Sequence, residues 1–361
     1  MTDTFINSIT PEHIRQLVPY SSAKRELLGT EIAQQSLWLN ANESPYNSEA
    51  GLNTYPDFQS EALIKRYADY AGIAPEQVLA TRGADEGIEL LVRTFCVPGQ
   101  DSILINPPTY GMYAICAKTS NVAIIKVPLT DQYRYDVSEI NAQLNLQSQQ
   151  KLKILFICSP ANPTGERIKR AALIEILQNY QDTSLVVVDE AYIEFSPEHS
   201  AVDLINDTPN LVILRTLSKA FALAGIRCGF VLAQQQTINT LRKVIAPYPM
   251  PAPIEQIALN ALSADGLALM RQQVAELNRQ KSDFISHIND FACVKQIMNS
   301  DANFVLLRVD NKTQLLAAMM KNNILLRDQS SQPTLDNCIR ITIGEAPQML
   351  AVLNVFKEVS Q

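Results

Sequence analysis

Between about residue 75 and residue 235, the chain alternates short apolar runs with longer segments of helical pattern. Several runs are continuously apolar and rich in β-branched residues, which is typical of strands buried on both faces. Two of the intervening segments, 85–95 and 167–180, repeat apolar residues at helical spacing. This alternation predicts a mainly parallel sheet covered by helices on both faces. The predicted strands are 102–106, 122–127, 153–158, 185–189, 211–214 and 229–233.

The pattern changes after a proline-rich segment at 246–253. A long helical stretch, 254–287, precedes a looser mixture of apolar runs and a final amphipathic helix at 348–359. We predict an α/β fold, in which a three-layer αβα large domain with a mainly parallel sheet is followed by a smaller α+β domain. The predicted units are an N-terminal segment 1–29, a large domain 30–245 and a small domain 246–361.

Composition narrows the classes of function. The chain of 361 residues carries a net charge of −7 without a long run of one sign, which argues against nucleic acid and acidic membrane surfaces as partners. The N-terminus lacks the basic and apolar regions of a secretory signal, and no uncharged apolar run is long enough to cross a bilayer. The six cysteines are scattered without a CxxC pair. We therefore expect reduced thiols and a cytoplasmic protein.

Polar segments follow four of the predicted strands. In an open parallel sheet, ligands bind beyond the carboxyl ends of the strands, so the residues directly after each strand matter most. A fifth segment, 81–87, begins a helix with a glycine-flanked turn. We therefore expect one ligand site at this rim of the sheet. The four segments that follow strands are 107–111, 159–165, 189–195 and 216–221.

Several common cofactor and metal motifs are missing from the sequence. Neither GxGxxG nor GxxxxGK[ST] occurs, which disfavours a dinucleotide site and a P-loop. The three histidines are isolated, without HxxxH or CxxC spacing nearby, so we predict no metal site. A serine–histidine triad would lack its GxSxG turn. The chemistry that remains is that of a lysine with acidic, amide and aromatic partners.

Lys219 lies shortly after an apolar strand, and Thr216 and Ser218 come just before it. A lysine amine can form a Schiff base with a carbonyl compound, and pyridoxal phosphate is the commonest cofactor of that kind. The phosphate of this cofactor needs backbone N–H groups at a helix start, hydroxyl groups and a cation. The segment 83–85, the two hydroxyl residues and Arg227 could supply them.

The cofactor ring has needs of its own. Its pyridine nitrogen requires a buried carboxylate, and Asp189 ends an apolar strand. Asn162 and Tyr192 could donate to the ring oxygen, and Tyr110 could cover the ring face. Taken singly, these residues could be a helix cap, a turn residue or edge aromatics, and Lys219 a surface charge. Because separate strand ends each deliver a matching part, we favour a pyridoxal-phosphate site.

An ordered set of motifs runs along the chain: YPD (55–57), RGADEGIELL (82–91), PTYGMY (108–113), SPANPTG (159–165), VVDEAYIEF (187–195), RTLSKAFALAGIRCGF (215–230) and IRITIG (339–344). This set resembles the fold-type I pyridoxal-phosphate-dependent aminotransferases. More narrowly, LNANESPYN (39–47), LNTYPD (52–57) and LLRDQ (325–329) resemble the histidinol-phosphate aminotransferases of histidine biosynthesis. The resemblance extends from LVPYSSAKRE (17–26) to the last helix.

The resemblance implies a role for each matching residue. Lys219 would bind pyridoxal 5'-phosphate covalently and act as the base for the 1,3-proton shift. Asp189 would pair with the pyridinium, Tyr192 and Asn162 would face the ring hydroxyl, and Tyr110 would stack on the ring. The residues implied for the phosphate are Ala84, Asp85, Thr216, Ser218 and Arg227, with Tyr55 from the partner subunit. The residues implied for the substrate are Tyr20, Asn162, Arg327 and Arg340.

The resemblance also implies a reaction and an assembly. L-Histidinol phosphate and 2-oxoglutarate would be interconverted with imidazole-acetol phosphate and L-glutamate by a homodimer with shared active sites. Two alternatives keep the same cofactor residues, namely a phosphoamino-acid decarboxylase of this fold and an aminotransferase for other aromatic amino acids. A decarboxylase would release carbon dioxide without a keto-acid acceptor. A sensor module of a transcription regulator is disfavoured, because only some 30 residues precede the apparent fold.

Overall fold

The computed structural model describes residues 4–20, 37–47, 51–143 and 151–359. Its larger sheet consists of β1 (Val78–Thr81), β2 (Asp101–Ile105), β3 (Ala123–Lys126), β4 (Lys151–Cys158), β5 (Leu185–Asp189), β6 (Leu211–Thr216) and β7 (Gly229–Ala233). The strands follow the order β1-β7-β6-β5-β4-β2-β3. β7 is antiparallel to β1 and β6, whereas the remaining pairs are parallel. The predicted α/β class with a mainly parallel sheet is confirmed.

The six predicted strands all form, and β1 is an additional strand that the sequence pattern did not predict. β1 has four residues, all buried, and its apolar run, VLA, contains only one residue with a strong strand propensity, Val78. The residues of β5 explain why the central strands are continuously apolar. Val186 and Val188 pack into the core on one face of the sheet, and Val187 packs into the core on the other. Because helices cover both faces of the sheet, the side chains on both faces are apolar, and apolar and polar residues do not alternate along the strand.

The helices around this sheet are α1 (Phe5–Ile9), α2 (Glu12–Arg15), α3 (Glu61–Ala71), α4 (Ala84–Phe95), α5 (Met112–Thr119), α6 (Val137–Ala142), α7 (Arg170–Asn179) and α8 (Gln235–Val244). α3 has standard ends, since the Ser60 hydroxyl accepts from the Leu63 N–H and Gly72 closes the helix at φ 72°. α4 matches the helix predicted at 85–95. α7 starts three residues after the predicted residue 167, because Lys169 is still extended.

A second, antiparallel sheet lies towards the C-terminus. It consists of β8 (Val294–Ile297), β9 (Phe304–Val309), β10 (Arg327–Asp328) and β11 (Cys338–Thr342), in the order β10-β11-β9-β8. The accompanying helices are α9 (Ala252–Ala261), α10 (Ala264–Ile288), α11 (Lys312–Lys321) and α12 (Ala346–Val359). One core joins Phe284, Leu307, Ile339 and Phe356 from this sheet and its helices.

The stretch 254–287, predicted as one helical segment, is divided into α9 and α10. The Ser263 hydroxyl accepts from the Gly266 N–H and starts the second helix. The domain boundaries at 29/30 and 245/246 stay predictions, and the first lies outside the described residues. Among the residues that the structure describes, no helix has both the length and the apolar character needed to cross a bilayer.

The two sheets meet beside the carboxyl ends of the larger one. Leu129 and Tyr133, which follow β3, pack against Leu306 and Cys338 of the smaller sheet. The Thr109 N–H, in the segment after β2, donates to Gln332 Oε1 at 3.0 Å. Segments from both sheets therefore border the rim at which the sequence predicts a ligand site.

Candidate active site

A cavity of about 260 Å³ lies at the carboxyl ends of β4, β5 and β6. Cys158, Asp189 and Thr216 come from the ends of these three strands, and Arg340 comes from β11 of the smaller sheet. Every predicted site residue except Tyr20, Tyr55 and Arg327 lines it: Ala84, Asp85, Tyr110, Asn162, Asp189, Tyr192, Thr216, Ser218, Lys219, Arg227 and Arg340.

Asp189 is a buried carboxylate at the end of β5, with 3% of its surface exposed. Its Oδ2 accepts from the Tyr113 hydroxyl at 2.7 Å, and its Oδ1 accepts from the Ala191 N–H at 3.1 Å. Burial raises the pKa of Asp189 to about 6, although both hydrogen bonds oppose that shift. In the described part of the chain, no basic side chain forms an ion pair with this carboxylate. An anion buried in this way suits a ligand that presents a protonated nitrogen.

Lys219 follows β6 and lines the cavity while remaining exposed to solvent, with its Nζ 5.5 Å from the centre of the Tyr192 ring. Burial lowers the pKa of Lys219, and the nearby positive charge of Arg340 lowers it further. The described ranges contain no carboxylate in ion-pair contact with its ammonium group. A lowered pKa increases the share of the neutral amine, which is the nucleophilic form.

The start of α4 lies close to β7 because two positions are glycine. A Cβ on Gly229 would lie 2.6 Å from the carbonyl carbon of Gly83 and 2.7 Å from the nitrogen of Ala84. Gly83 has φ 81°, and a Cβ there would lie 2.8 Å from Arg227 Nη2. Gly229 therefore lets β7 approach the backbone before α4, and Gly83 lets the Arg227 guanidinium approach that backbone. The N–H groups of a helix start, next to a cation, make a site for an anion.

Hydroxyl groups complete this anion-binding end of the cavity. Thr216 Oγ1 donates to Ser218 Oγ at 2.9 Å, and Arg227 Nη1 donates to the same oxygen at 3.4 Å. Arg227 Nη2 also contacts Asp85 Oδ2 at 3.2 Å, so one carboxylate already shares this guanidinium. Tyr110 donates to the other oxygen of Asp85 at 2.9 Å, which fixes the aromatic ring at the cavity wall.

Arg340 and Asn162 form the side of the cavity next to the smaller sheet. Arg340 Nη1 donates to Asn162 Oδ1, and the guanidinium lies 5.3 Å from the centre of the Phe304 ring. The Asn162–Pro163 peptide bond is cis. Burial lowers the pKa of Arg340. Among the residues described, no carboxylate pairs with Arg340, so its charge is available to an anionic ligand.

Tyr20, Tyr55 and Arg327 lie apart from this cavity. Arg327 is exposed and stands opposite Arg340 in the β10–β11 register. Tyr55 is 48% exposed, stacks on Tyr248 at 4.4 Å and donates its backbone N–H to Glu43 Oε1 at 2.6 Å. Tyr20 is 60% exposed. The implied roles of these residues stay predictions.

Sequence reasoning missed Tyr113, which contacts Asp189 directly. It lies three residues after Tyr110, and the two rings meet edge to face at 5.7 Å. The available signal was the second tyrosine in PTYGMY, which lies in the first turn of the helix that follows the Tyr110 segment. Within the described ranges, no group of three metal-binding side chains occurs.

A family model and two relatives all indicate that this chain is similar to aminotransferases. The family model described as aminotransferase class I and II matches residues 29–356. The histidinol-phosphate aminotransferase of Aeromonas hydrophila is 51% identical over 96% of each chain. That of Pseudoalteromonas atlantica is 47% identical over 98% of this chain and 95% of its own.

Three solved structures resemble this fold. The histidinol-phosphate aminotransferase from Clostridium acetobutylicum has a TM-score of 0.78 at 26% identity and covers 86% of this chain and 91% of its own. The one from Sinorhizobium meliloti, in complex with pyridoxal-5'-phosphate, has a TM-score of 0.75 at 21% identity, with 85% and 84% covered. The L-threonine-O-3-phosphate decarboxylase from Porphyromonas gingivalis has a TM-score of 0.72 at 21% identity, with 85% and 91% covered. The last two likenesses concern the fold alone.

Proposed function

This chain belongs to the class I and II aminotransferases, and from that premise we propose that it is a histidinol-phosphate aminotransferase with pyridoxal 5'-phosphate as its cofactor. The amino group of L-histidinol phosphate passes to 2-oxoglutarate, which gives imidazole-acetol phosphate and L-glutamate. Two histidinol-phosphate aminotransferases match this chain over nearly their full length at 47% and 51% identity, and they support the choice of substrate.

The observation that carries the proposal is that Asp189 and Lys219 line the same cavity, which also has an anion-binding end. Each residue fits one part of the cofactor. The start of α4, with Ala84, Asp85, Thr216, Ser218 and Arg227, would hold the phosphate. Asp189 would hold the ring nitrogen, Asn162 and Tyr192 the ring hydroxyl, and Tyr110 the ring face. Lys219 would bind the aldehyde carbon.

When bound, pyridoxal phosphate supplies an electron-withdrawing ring that stabilises negative charge on the neighbouring substrate carbon. The Nζ of Lys219 accepts the proton of the substrate carbon that carries the amino group. Its lowered pKa suits this task, because an amine must be unprotonated before it can accept a proton. The Asp189 carboxylate supplies the negative charge that keeps the ring nitrogen protonated, and its burial strengthens this interaction.

One cation must serve two unlike substrates. L-Histidinol phosphate brings a phosphate and no carboxylate, whereas glutamate brings two carboxylates. The fork of Arg340 can bind either anion through two hydrogen bonds, and Asn162 keeps it in place at the cavity wall. We include Arg327 and Tyr20 as substrate residues on the strength of the sequence resemblance alone.

We also propose that the enzyme is a cytoplasmic homodimer with shared active sites. Tyr55 lies outside its own chain's cavity, and the apolar side chains of Leu39, Tyr46 and Leu52 near it in sequence are exposed. Exposed apolar residues concentrated in one part of a chain are typical of an interface. In the dimer, Tyr55 would reach the phosphate in the partner's cavity.

The test is the absorbance spectrum of the purified protein before and after L-histidinol phosphate is added, with and without 2-oxoglutarate. We expect a visible cofactor band that changes with the donor alone and returns when 2-oxoglutarate is added, with glutamate formed in equal amount. Release of carbon dioxide without an acceptor would instead identify a decarboxylase. A change with glutamate but not with L-histidinol phosphate would leave only an aminotransferase of other specificity.

A further inference from the structure

Tyr113 approaches Asp189 from the side away from the cavity. Its side chain is fully buried and does not line the cavity itself. Its ring stacks on Phe156, with the two centres 4.7 Å apart and the planes inclined by 8°. Its hydroxyl donates to Asp189 Oδ2 at 2.7 Å. The tyrosine thus connects α5 and β4 to the carboxylate that ends β5.

Two donors from two different elements hold the Asp189 carboxylate. The Ala191 N–H, in the segment after β5, bonds Oδ1, and the Tyr113 hydroxyl bonds Oδ2. Two bonds to opposite oxygens fix the plane of the carboxylate, and each stabilises its anionic form. Other titratable groups also influence Asp189 or are influenced by it: Asp85, Tyr110, Tyr135, Cys158, Tyr192 and Lys219.

We propose that Tyr113 is a positioning residue that acts through Asp189. Its hydroxyl keeps the carboxylate ionised and oriented towards the ring nitrogen of pyridoxal phosphate, without touching the cofactor. This inference rests on the proposed function. The competing interpretation is that Tyr113 only fills the core against Phe156, in which case its hydroxyl would matter for folding alone.

The decisive variant is Tyr113→Phe, which keeps the ring and its stacking on Phe156 and removes only the hydroxyl. Because this bond already exists in the cofactor-free protein, its loss acts on binding only by raising the pKa of Asp189. One pKa unit corresponds to a factor of ten, so we expect pyridoxal phosphate to bind about tenfold more weakly. The pH midpoint of the visible cofactor band should also move upward. A protonated ring nitrogen repels the positive charge on the Lys219 nitrogen that is bonded to the cofactor. If the ring nitrogen loses its proton, this repulsion disappears, and the Lys219 nitrogen stays protonated to a higher pH.

Tyr180→Phe is the matched control. Tyr180 is equally buried, and its hydroxyl donates to the backbone oxygen of Ile140 at 2.5 Å, and neither residue lines the cavity. The control should lower the unfolding temperature without changing cofactor affinity or the pH midpoint. A core role for Tyr113 would make the two variants behave alike.

A double-mutant cycle separates action through Asp189 from any other route. In the Asp189→Asn background, adding Tyr113→Phe should change cofactor affinity by less than about threefold, because no anion remains to be held. Tyr113→His, which offers an N–H in place of the hydroxyl, should bind the cofactor more tightly than Tyr113→Phe. Affinities are measured by titrating cofactor-free protein with pyridoxal 5'-phosphate, and folding is checked by circular dichroism.

The outcomes are distinct. Weaker binding and a shifted midpoint in Tyr113→Phe, with neither in Tyr180→Phe, support the proposal. Wild-type affinity and midpoint in Tyr113→Phe overturn it, as does failure of both position-113 variants to fold, since Tyr113 would then be a core residue only. Wild-type protein without a cofactor band would overturn the proposed function, and this inference with it.

Discussion

Replacing Arg340 by methionine removes a guanidinium but keeps an unbranched side chain of similar length. A guanidinium fork binds an anion through two charge-assisted hydrogen bonds, each contributing about 1.5–3 kcal/mol. Loss of both, about 3–6 kcal/mol, lowers kcat/KM roughly a hundredfold to ten-thousandfold. Arg340→Lys keeps one strong donor, so its kcat/KM should fall only about tenfold to a hundredfold.

The Arg340→Met substitution should not harm the fold. Arg340 is partly buried, bonds Asn162 and, among the described residues, has no carboxylate partner. Burial lowers its pKa, with a further contribution from Arg327, which means that the charged form is disfavoured in the free protein. Arg340→Met should therefore unfold at the wild-type temperature or above it. A lower kcat/KM together with an unchanged or higher unfolding temperature would show that the variant has lost substrate binding and that its core is intact.

The assay is steady-state kinetics with L-histidinol phosphate and with glutamate as separate amino donors, together with thermal unfolding. Arg93→Met is the control, because Arg93 is exposed on α4 and pairs only loosely with Glu89, at 3.8 Å. It should leave kcat/KM and Tm nearly unchanged. Wild-type kcat/KM for both donors in Arg340→Met would refute the substrate role. A fall in Tm that accompanies the lost activity would show that Arg340 supports the fold instead.

Three further predictions concern Lys219, Asp189 and Tyr55. Lys219→Ala should abolish turnover while cofactor still binds through its phosphate, and substantial residual transamination would contradict its role. Asp189→Asn should lower kcat roughly a hundredfold or more. Because burial raises the pKa of Asp189 to about 6, the carboxyl costs stability above that pH. The cofactor-free asparagine variant should therefore exceed wild type in unfolding free energy by up to about 3 kcal/mol at pH 8, and lose that advantage as the pH falls from 6 to 4. Finally, mixing an impaired Tyr55 variant with Lys219→Ala under subunit exchange should restore activity, and no rescue despite proven heterodimers would refute sharing of the site.

The sequence predicted most of the fold because most strands of the larger sheet contain continuous runs of Val, Ile, Leu and Phe. Six strands of the larger sheet form within two residues of their predicted bounds. β1 was missed because its apolar run, VLA, contains only one residue with a strong strand propensity, Val78. The division of 254–287 into two helices was missed because its main sign is a single serine cap at Ser263. In both cases the local signal was too small to stand out from its surroundings.

For the site, sequence reasoning could identify which strand ends carry chemistry but not which side chains meet. Thr216, Ser218 and Lys219 lie together because they fall within four residues of each other, at the end of β6 and in the loop that follows it. Arg340 reaches Asn162 from the other sheet, which no spacing along the chain could indicate. Tyr113 reaches Asp189 across 76 residues of sequence for the same reason. Long-range contacts of this kind depend on how the two sheets and α5 pack.

The adjacent acids Asp189 and Glu190 show how packing separates function from structure. Glu190 is 1% exposed and is fully partnered, with Arg215 at 2.9 Å and the Ala201 N–H at 2.6 Å. Asp189, one residue earlier, faces the cavity and has no ion-pair partner among the described residues. Both carboxylates are buried in one strand–loop junction, yet only Asp189 retains a charge that the fold does not neutralise. A buried charge without a counter-ion destabilises the free protein, so it persists where a ligand supplies the opposite charge. Asp189 and the partly buried Arg340 meet this condition, and Lys219 lines the same cavity without an ion-pair partner among the described residues. That coincidence, more than any single motif, supports the proposal that the cavity is the active site.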